Sequence, residues 1–223
     1  MNDLLQFLDQ SPSRFHAVDC LRRELEGAGY TPLSEGRSWS AVPGGKYYTV
    51  RGGSALIAFR VPAGEARGFM ISASHSDSPT FRIKENAELA GPEGYLRLNT
   101  ERYGGMLCAP WMDRPLTVAG RVLARAGEGI ETKLVYVDRD LLMIPNVAVH
   151  MNRAANDGFK YDPKSDMVPL MGLGTEKGAF RAVVAEYAGC KAEDILGTDL
   201  FLCPRQKAVV WGAGNEFISS PRL

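Results

Sequence analysis

The chain has 223 residues, of which 45% are hydrophobic, and its 26 Lys and Arg balance its 26 Asp and Glu. This composition predicts a folded protein of one large domain or two small ones, and it argues against a disordered chain. Zero net charge argues against nucleic acid or an anionic membrane as the main partner, because either would require many uncompensated basic residues.

The cysteines and the N-terminus indicate a cytoplasmic protein. Four cysteines lie far apart, without a CxxC pair or a zinc-ribbon spacing, so neither a disulfide scaffold nor a structural zinc knuckle is predicted. The start MNDLL carries an acid where a signal peptide needs a base, and no apolar run approaches the roughly 18 residues of a membrane span.

The first predicted element is an amphipathic helix. Ser11-Pro12-Ser13 is typical of a helix start, and apolar residues then recur at helical spacing until Gly27. Two β-rich runs at 47–51 and 55–61 follow, and Gly52-Gly53 between them predicts a hairpin. The run GFMISAS at 68–74 is short and nearly all apolar or small, which predicts a fully buried strand.

From about Glu93 the sequence resembles a separate β-rich module. Strands are predicted at 116–125, 132–137 and 147–151, where β-prone residues alternate with Gly and Pro. A helix is predicted around Ala179, Phe180, Val183, Val184 and Tyr187, and a short helix at 192–196. Further strands are predicted at 199–203 and 208–211.

His75 and Asp77 are the candidate functional residues that the pattern brings out. They directly follow the predicted buried strand, and the carboxyl ends of strands in open α/β sheets collect ligands. A His-x-Asp triplet there suits a metal, because the imidazole can bind the ion while the carboxylate orients the ring. The alternative is a structural loop histidine beside a turn aspartate, since such triplets also occur by chance.

The other two histidines carry weaker signals. His16 lies one turn into the first helix beside apolar residues, so we expect a structural role. His150 alternates with Val147 and Val149, so it is either a solvated strand histidine or, with Arg153, a group offered to a substrate or a partner subunit. The sequence contains no GxSxG, GxGxxG or Walker pattern, which argues against a serine hydrolase and a nucleotide-binding protein.

Five segments together resemble the aspartyl aminopeptidase family of dinuclear zinc exopeptidases. They are SPSRFHAVDCLRRELEGAGY at 11–30, SASHSDSPTFRIK at 72–84, YGGMLCAPWMDRPLTVAGRV at 103–122, IPNVAVHMNRAAN at 144–156 and GAGNEFISSPRL at 212–223. The segments occur in the family's order and cover essentially the whole chain, so their combination is far more specific than any one of them.

The resemblance implies an α/β fold: an α/β/α zinc-peptidase domain with a mostly parallel sheet, interrupted by an inserted β-rich dimerisation domain. The catalytic domain would comprise residues 1–91 and 207–223, and the insert residues 92–206. His75 falls on the family's metal-binding histidine and Asp77 on the catalytic-site acid that orients it. His150 falls on a family histidine that either belongs to the metal site or holds substrate in a neighbouring subunit.

Two departures from the family pattern are small: Ser76 stands where Thr is frequent, and Asn215 where Asp is frequent. The family's bridging Asp, general-base Glu and remaining metal ligands would follow Leu223. The resemblance therefore implies a zinc aminopeptidase that removes acidic N-terminal residues from peptides and self-associates, with two zinc ions in the complete enzyme. We expect this chain alone to be inactive. The alternative is a non-catalytic assembly module that retains the dimerisation insert.

Overall fold

The computed structural model describes residues 2–174 and 176–222, and the chain divides into two compact units. Unit 1 takes in the chain up to Ser78 and from Ala208 onward, and unit 2 is Pro79–Lys207. Unit 2 thus begins at residue 79, whereas the predicted insert begins at residue 92. Among the described residues, the strand at 80–90 pairs with two strands of unit 2, which groups it with that unit.

Two helices open unit 1, α1 (Asn2–Gln10) and α2 (Arg14–Gly27). Helix α2 starts where the sequence predicts, because Ser13 has an extended backbone and its hydroxyl accepts a hydrogen bond from the His16 N–H. Its apolar face buries Phe15, Val18 and Cys20. None of the helices among the described residues has the length and apolarity to cross a membrane.

The sheet of unit 1 contains β1 (Thr31–Pro32), β2 (Lys46–Arg51) and β3 (Ala55–Arg60). Strands β1 and β2 pair in parallel, whereas β2 and β3 form the predicted antiparallel hairpin. Gly52 and Gly53 make its turn with φ angles of 59° and 71°, which glycine adopts without steric cost.

The return segment of unit 1 attaches to α1. The backbone N–H of Ala208 donates to the Asp9 carboxylate at 2.9 Å, and the Arg222 guanidinium donates to the Leu8 carbonyl oxygen at 3.2 Å. Between these contacts the chain forms an antiparallel hairpin of two short strands, β10 (Val209–Trp211) and β11 (Phe217–Ser219). The predicted strand at 208–211 is therefore confirmed.

The predicted buried strand at 68–74 is wrong. This segment has no regular secondary structure, and the side chains of Phe69, Met70 and Ile71 are 95%, 104% and 86% exposed. A continuous apolar run becomes a buried strand only when neighbouring strands cover both of its faces. Among the described residues of unit 1, no strand pairs with it.

Unit 2 is built on one six-stranded antiparallel sheet with the order β7-β6-β9-β4-β5-β8. Its strands are β4 (Thr80–Ala90), β5 (Tyr95–Tyr103), β6 (Leu116–Ala126), β7 (Gly129–Tyr136), β8 (Leu170–Leu173) and β9 (Ile195–Pro204). Single bridges pair Leu116 with Leu142 and Met143 with Leu170, so the segment around residues 142–143 connects β8 back to β6. The sheet therefore closes on itself as a small barrel.

The barrel encloses a continuous apolar core. Its fully buried members include Phe81, Leu98, Leu116, Val118, Ile144, Met167, Leu200 and Leu202. Helix α3 (Ala179–Ala188) packs against this core through Phe180 and Val184. The Glu88 carboxylate on β4 accepts the N–H groups of Gly178 and Phe180 at 2.7 and 2.6 Å, which caps the start of α3.

The structure confirms the mixed α/β class and most predicted elements of unit 2, and it corrects two. Helix α3 and strands β6, β7 and β9 lie where the sequence predicts. The predicted strand at 147–151 is wrong, because this stretch lies in an exposed loop with a turn at 148–151. The predicted helix at 192–196 is a single 3-10 turn, Ala192–Asp194, because β9 begins at Ile195.

Candidate metal centre

His75 and Asp77 lie in the irregular segment of unit 1 that follows the exposed apolar run. The side chain of the residue between them fixes this segment: the Ser76 hydroxyl donates a hydrogen bond to the Ser54 carbonyl oxygen at 2.9 Å. Ser54 stands directly before β3, so the segment is attached to the hairpin of unit 1. The His75 and Asp77 side chains remain 61% and 38% exposed, and a solute can reach both of them.

The structure brings His75 and Asp77 into direct contact. The Nδ1 atom of His75 lies 2.7 Å from the Asp77 carbonyl oxygen and 3.3 Å from the Asp77 carboxylate. A carbonyl oxygen only accepts hydrogen bonds, so Nδ1 carries the proton. In the neutral ring Nε2 then keeps its lone pair, and this is the tautomer that can bind a metal through Nε2.

A zinc ion fits this pair as one part of its coordination shell. Imidazole nitrogen is a preferred zinc ligand, and a partner on the opposite ring nitrogen is the usual arrangement around zinc histidines. Protein zinc sites use three or four ligands, however. Within residues 2–174 and 176–222, no group of three or more His, Cys, Asp or Glu side chains is placed to hold a metal ion.

His150 belongs to unit 2 and lies in the turn where the Met151 N–H donates to the Ala148 carbonyl oxygen at 2.8 Å. Its side chain is exposed, as is that of Arg153. The apolar side chains around it are exposed as well, with Val149 at 51% and Met151 at 79%. The chain thus presents an imidazole on an apolar, solvent-facing loop, not on a strand.

His16 has the structural surroundings that its sequence position predicts. Its Nδ1 lies 2.8 Å from the Ser13 hydroxyl oxygen at the N-terminus of α2. Burial lowers the pKa of His16 to about 4, and the positive charges of Arg222 and Arg23 act in the same direction, whereas Asp19 opposes them. The ring is therefore neutral at pH 7 and contributes to packing and to the helix cap.

Asp113 is a residue of interest that sequence reasoning missed. Its backbone has φ of +56°, and its carboxylate accepts the Asn146 N–H at 2.8 Å. Its own N–H donates to the Ile144 carbonyl oxygen at 2.9 Å. An aspartate before Arg-Pro in a region rich in turn residues is compatible with a left-handed backbone, but nothing in the sequence indicates its partner 33 positions later.

Comparison with known proteins identifies the family. A family profile described as aminopeptidase I zinc metalloprotease (M18) matches residues 7–223. The chain is 43% identical to a probable M18 family aminopeptidase 2 of Clostridium acetobutylicum over 99% of its own length, and 42% identical to that of Clostridium novyi over 100%. It spans 53% of each, so it covers about half the length of these curated relatives.

Solved structures agree in fold. The chain superimposes on a chain of the cryo-EM structure of the Ape4 and Nbr1 complex with a TM-score of 0.90 and 31% identity, over 97% of this chain and 46% of that one. For mApe1 of Chaetomium thermophilum the TM-score is 0.86 and the identity 32%, over 97% and 53%. For the dodecamer of S. cerevisiae mApe1 the values are 0.83 and 25%, over 97% and 50%. The chain therefore belongs to the M18 family of aminopeptidase I zinc metalloproteases.

Proposed function

We propose that this chain forms the N-terminal part of a zinc aminopeptidase that hydrolyses acidic N-terminal residues from peptides. Family membership supports the reaction class. The observation that carries the proposal is the 2.7 Å contact that fixes the His75 tautomer and leaves Nε2 as a lone-pair donor. The acidic preference rests on the resemblance of the five sequence segments. Because the relatives are about twice as long, we assign the activity to the complete gene product.

In this proposal His75 binds zinc through Nε2, and Asp77 keeps the ring oriented and in the required tautomer. The complete enzyme would hold two zinc ions. Bound zinc would supply an activated water and polarise the scissile carbonyl. The exposed imidazole of His150 binds substrate by hydrogen bonding in a neighbouring subunit, and direct zinc binding by His150 is the alternative role.

The proposal implies that the 223-residue chain alone is inactive, because one imidazole from the core motif does not make a zinc site of three or four ligands. We expect weak zinc affinity for the isolated chain by calorimetry and no release of N-terminal Asp or Glu. The complete gene product should bind two zinc ions and release these residues. Tight stoichiometric zinc binding or peptide hydrolysis by the chain alone would contradict this division.

His75→Ala in the complete gene product should remove metal and turnover together, because it deletes a ligand. His16→Ala is the matched control, since it deletes a histidine of the same unit that lies in a helix cap. We expect the control to keep its zinc content, measured by atomic absorption, and to lose stability instead. Equal loss of activity in both variants with normal zinc content in both would contradict the assignment of His75.

We further propose that the protein self-associates through unit 2 and works in the cytoplasm. A dodecamer of S. cerevisiae mApe1 is among the structures that the chain resembles, which supports self-association. The closed core of unit 2 also favours a second candidate, a non-catalytic assembly module. The two are distinguished by measuring mass in solution and peptide hydrolysis on the same complete gene product. Assembly without hydrolysis in the presence of zinc would favour the module.

A further inference from the structure

Backbone pairing with the barrel wall stops just before the loop that carries His150. Residues 142–144 are built into the barrel: Leu142 and Leu116 exchange backbone hydrogen bonds, and so do Met143 and Leu170. The side chain of Ile144 is fully buried. Beyond Pro145 the chain leaves this framework, and from Asn146 onward the loop is mostly solvent-exposed.

The loop itself is held by hydrogen bonds between residues close in sequence. The hydrogen bonds of residues 147–157 join near neighbours: Val147 bonds to the Asn146 side chain, Met151 to Ala148 and Asp157 to Ala154. Such bonds shape the turn, but they do not fix its direction relative to the barrel. At the start of the loop, the nearest contacts with the barrel wall are therefore those of residues 144–146.

Asp113 holds the start of the loop with two hydrogen bonds, one to each of the residues that flank Pro145. Its N–H donates to the Ile144 carbonyl oxygen, and this bond is part of the parallel bridge between Met112 and Ile144. The next bond of a parallel ladder would run from the Asn146 N–H to the Asp113 carbonyl oxygen. Here the Asp113 carboxylate accepts that bond instead, at 2.8 Å.

The backbone conformation of Asp113 explains why its carboxylate takes the place of its carbonyl oxygen in this bond. A φ of +56° places it in the left-handed region, which disfavours side chains with a Cβ, although aspartate and asparagine tolerate it better than most. A ladder that continued regularly would need an extended backbone here. The strained backbone and the carboxylate bond occur together, so the chain turns at Asp113 while its side chain still holds Asn146.

We propose that Asp113 is a positioning residue, which fixes the exit of the His150 loop from the barrel and thereby the place of His150 at the substrate. The second half of this inference rests on the proposed function of His150. Two properties of Asp113 are required: tolerance of positive φ and a side-chain oxygen that accepts from Asn146. Asparagine has both, glycine has the first alone, and alanine has neither.

The first test measures hydrogen exchange by NMR in the 223-residue chain. In Asp113→Gly and Asp113→Ala, which share the loss of the acceptor but differ in backbone strain, the Asn146 amide should exchange about tenfold faster. Asp113→Asn should restore the protection. Unchanged exchange of β6 and β9 amides reports that the barrel is intact. Wild-type protection of Asn146 in both the glycine and the alanine variant would overturn the proposal.

The second test measures kcat and KM for a peptide with an N-terminal acidic residue, using the complete gene product loaded with zinc. Asp113→Gly should raise KM about tenfold with unchanged zinc content, and it should add nothing in a His150→Ala background. Additive effects of the two substitutions would overturn the positioning role. If His150→Ala alone leaves KM and kcat unchanged, the substrate role of His150 fails, whereas the exchange measurement still decides whether Asp113 anchors the loop.

Glu93→Gly provides the control for backbone relief. Glu93 is also a non-glycine residue with positive φ, at +53°, and it lies in the exposed turn between β4 and β5. This substitution removes an acidic side chain and relaxes the backbone, as Asp113→Gly does. Asn146 exchange and KM should match wild type. A change in either as large as that in Asp113→Gly would show that the effect does not depend on the Asp113 carboxylate.

Discussion

His16 shows how a single, largely desolvated side chain links the stability of unit 1 to pH. Its ring lies at the N-terminal end of α2 beside Ser13, where burial disfavours the charged form. The folded protein therefore keeps His16 neutral at a pH at which the unfolded chain has already bound a proton. Proton uptake by the unfolded state then favours unfolding.

The pH window follows from the two pKa values. The pKa of His16 is about 4 in the folded protein and 6.5 in the unfolded chain, so this contribution to stability is fully present above pH 6.5 and is lost as the pH falls toward 4. We expect wild type to lose on the order of 2 kcal/mol more than His16→Gln over this range. Urea unfolding of both proteins at several pH values measures the difference. Parallel stability curves for the two proteins would contradict the prediction.

At the scale of elements, the pairing of β6 with β9 depends on Gly120. A Cβ atom added there would lie 2.0 Å from the Asp199 carbonyl oxygen and 3.0 Å from the Leu200 Cα, both on the facing strand. These are backbone atoms in the centre of the barrel wall, so they cannot move aside as the end of a flexible side chain can. Only glycine allows the two strands to approach this closely.

Gly120→Ala should therefore lower the free energy of unfolding of unit 2 by about 3 kcal/mol or prevent folding. Gly197→Ala on β9 is the matched control, because the nearest atom that its Cβ would meet is Leu123 Cδ1 at 4.0 Å. We expect the control to stay within about 1 kcal/mol of wild type. Urea unfolding followed by circular dichroism compares the two. Similar midpoints for both variants would show that the backbone relaxes at Gly120.

Elements were predictable where their signals are local. Ser13 marks the start of α2 and Gly52-Gly53 the hairpin turn, and both signals act within a few residues. The runs at 68–74 and 147–151 have strand-like composition, but a strand also needs a partner, which composition does not specify. The same limit applies to the candidate site: His75 and Asp77 are two positions apart, so their contact is predictable from the sequence, whereas the bond from the Asn146 N–H to the Asp113 carboxylate spans 33 positions and has no local signal.

At the scale of the whole chain, the main anomaly is the exposed apolar segment of unit 1. Phe69, Met70 and Ile71 are almost fully exposed, and adjacent apolar side chains of this kind favour association with other apolar surfaces. Because these side chains bury little surface in the chain, they contribute little to its stability. They should instead determine how the isolated chain behaves in solution.

Replacing Phe69, Met70 and Ile71 together by serine should leave the free energy of unfolding within about 1 kcal/mol of wild type. The same variant should bind less of the dye ANS and scatter less light at high concentration. Phe81→Ala is the contrasting control: Phe81 is fully buried, and truncation should cost about 3–5 kcal/mol. A large loss of stability in the triple serine variant would show that the segment packs against the chain in solution.

The pairing of β4 with β9 makes unit 2 suitable for circular permutation and domain insertion. The Thr80 hydroxyl donates to the Leu202 carbonyl oxygen at 2.6 Å, and Arg82 pairs with Phe201, so the first and last strands of the unit run side by side. A polypeptide consisting of residues 79–207 would therefore have neighbouring ends. Its ends could be joined and new ends opened elsewhere, or it could be inserted into a surface loop of another protein. Because its ends are close together, the insertion would not separate the two ends of that loop.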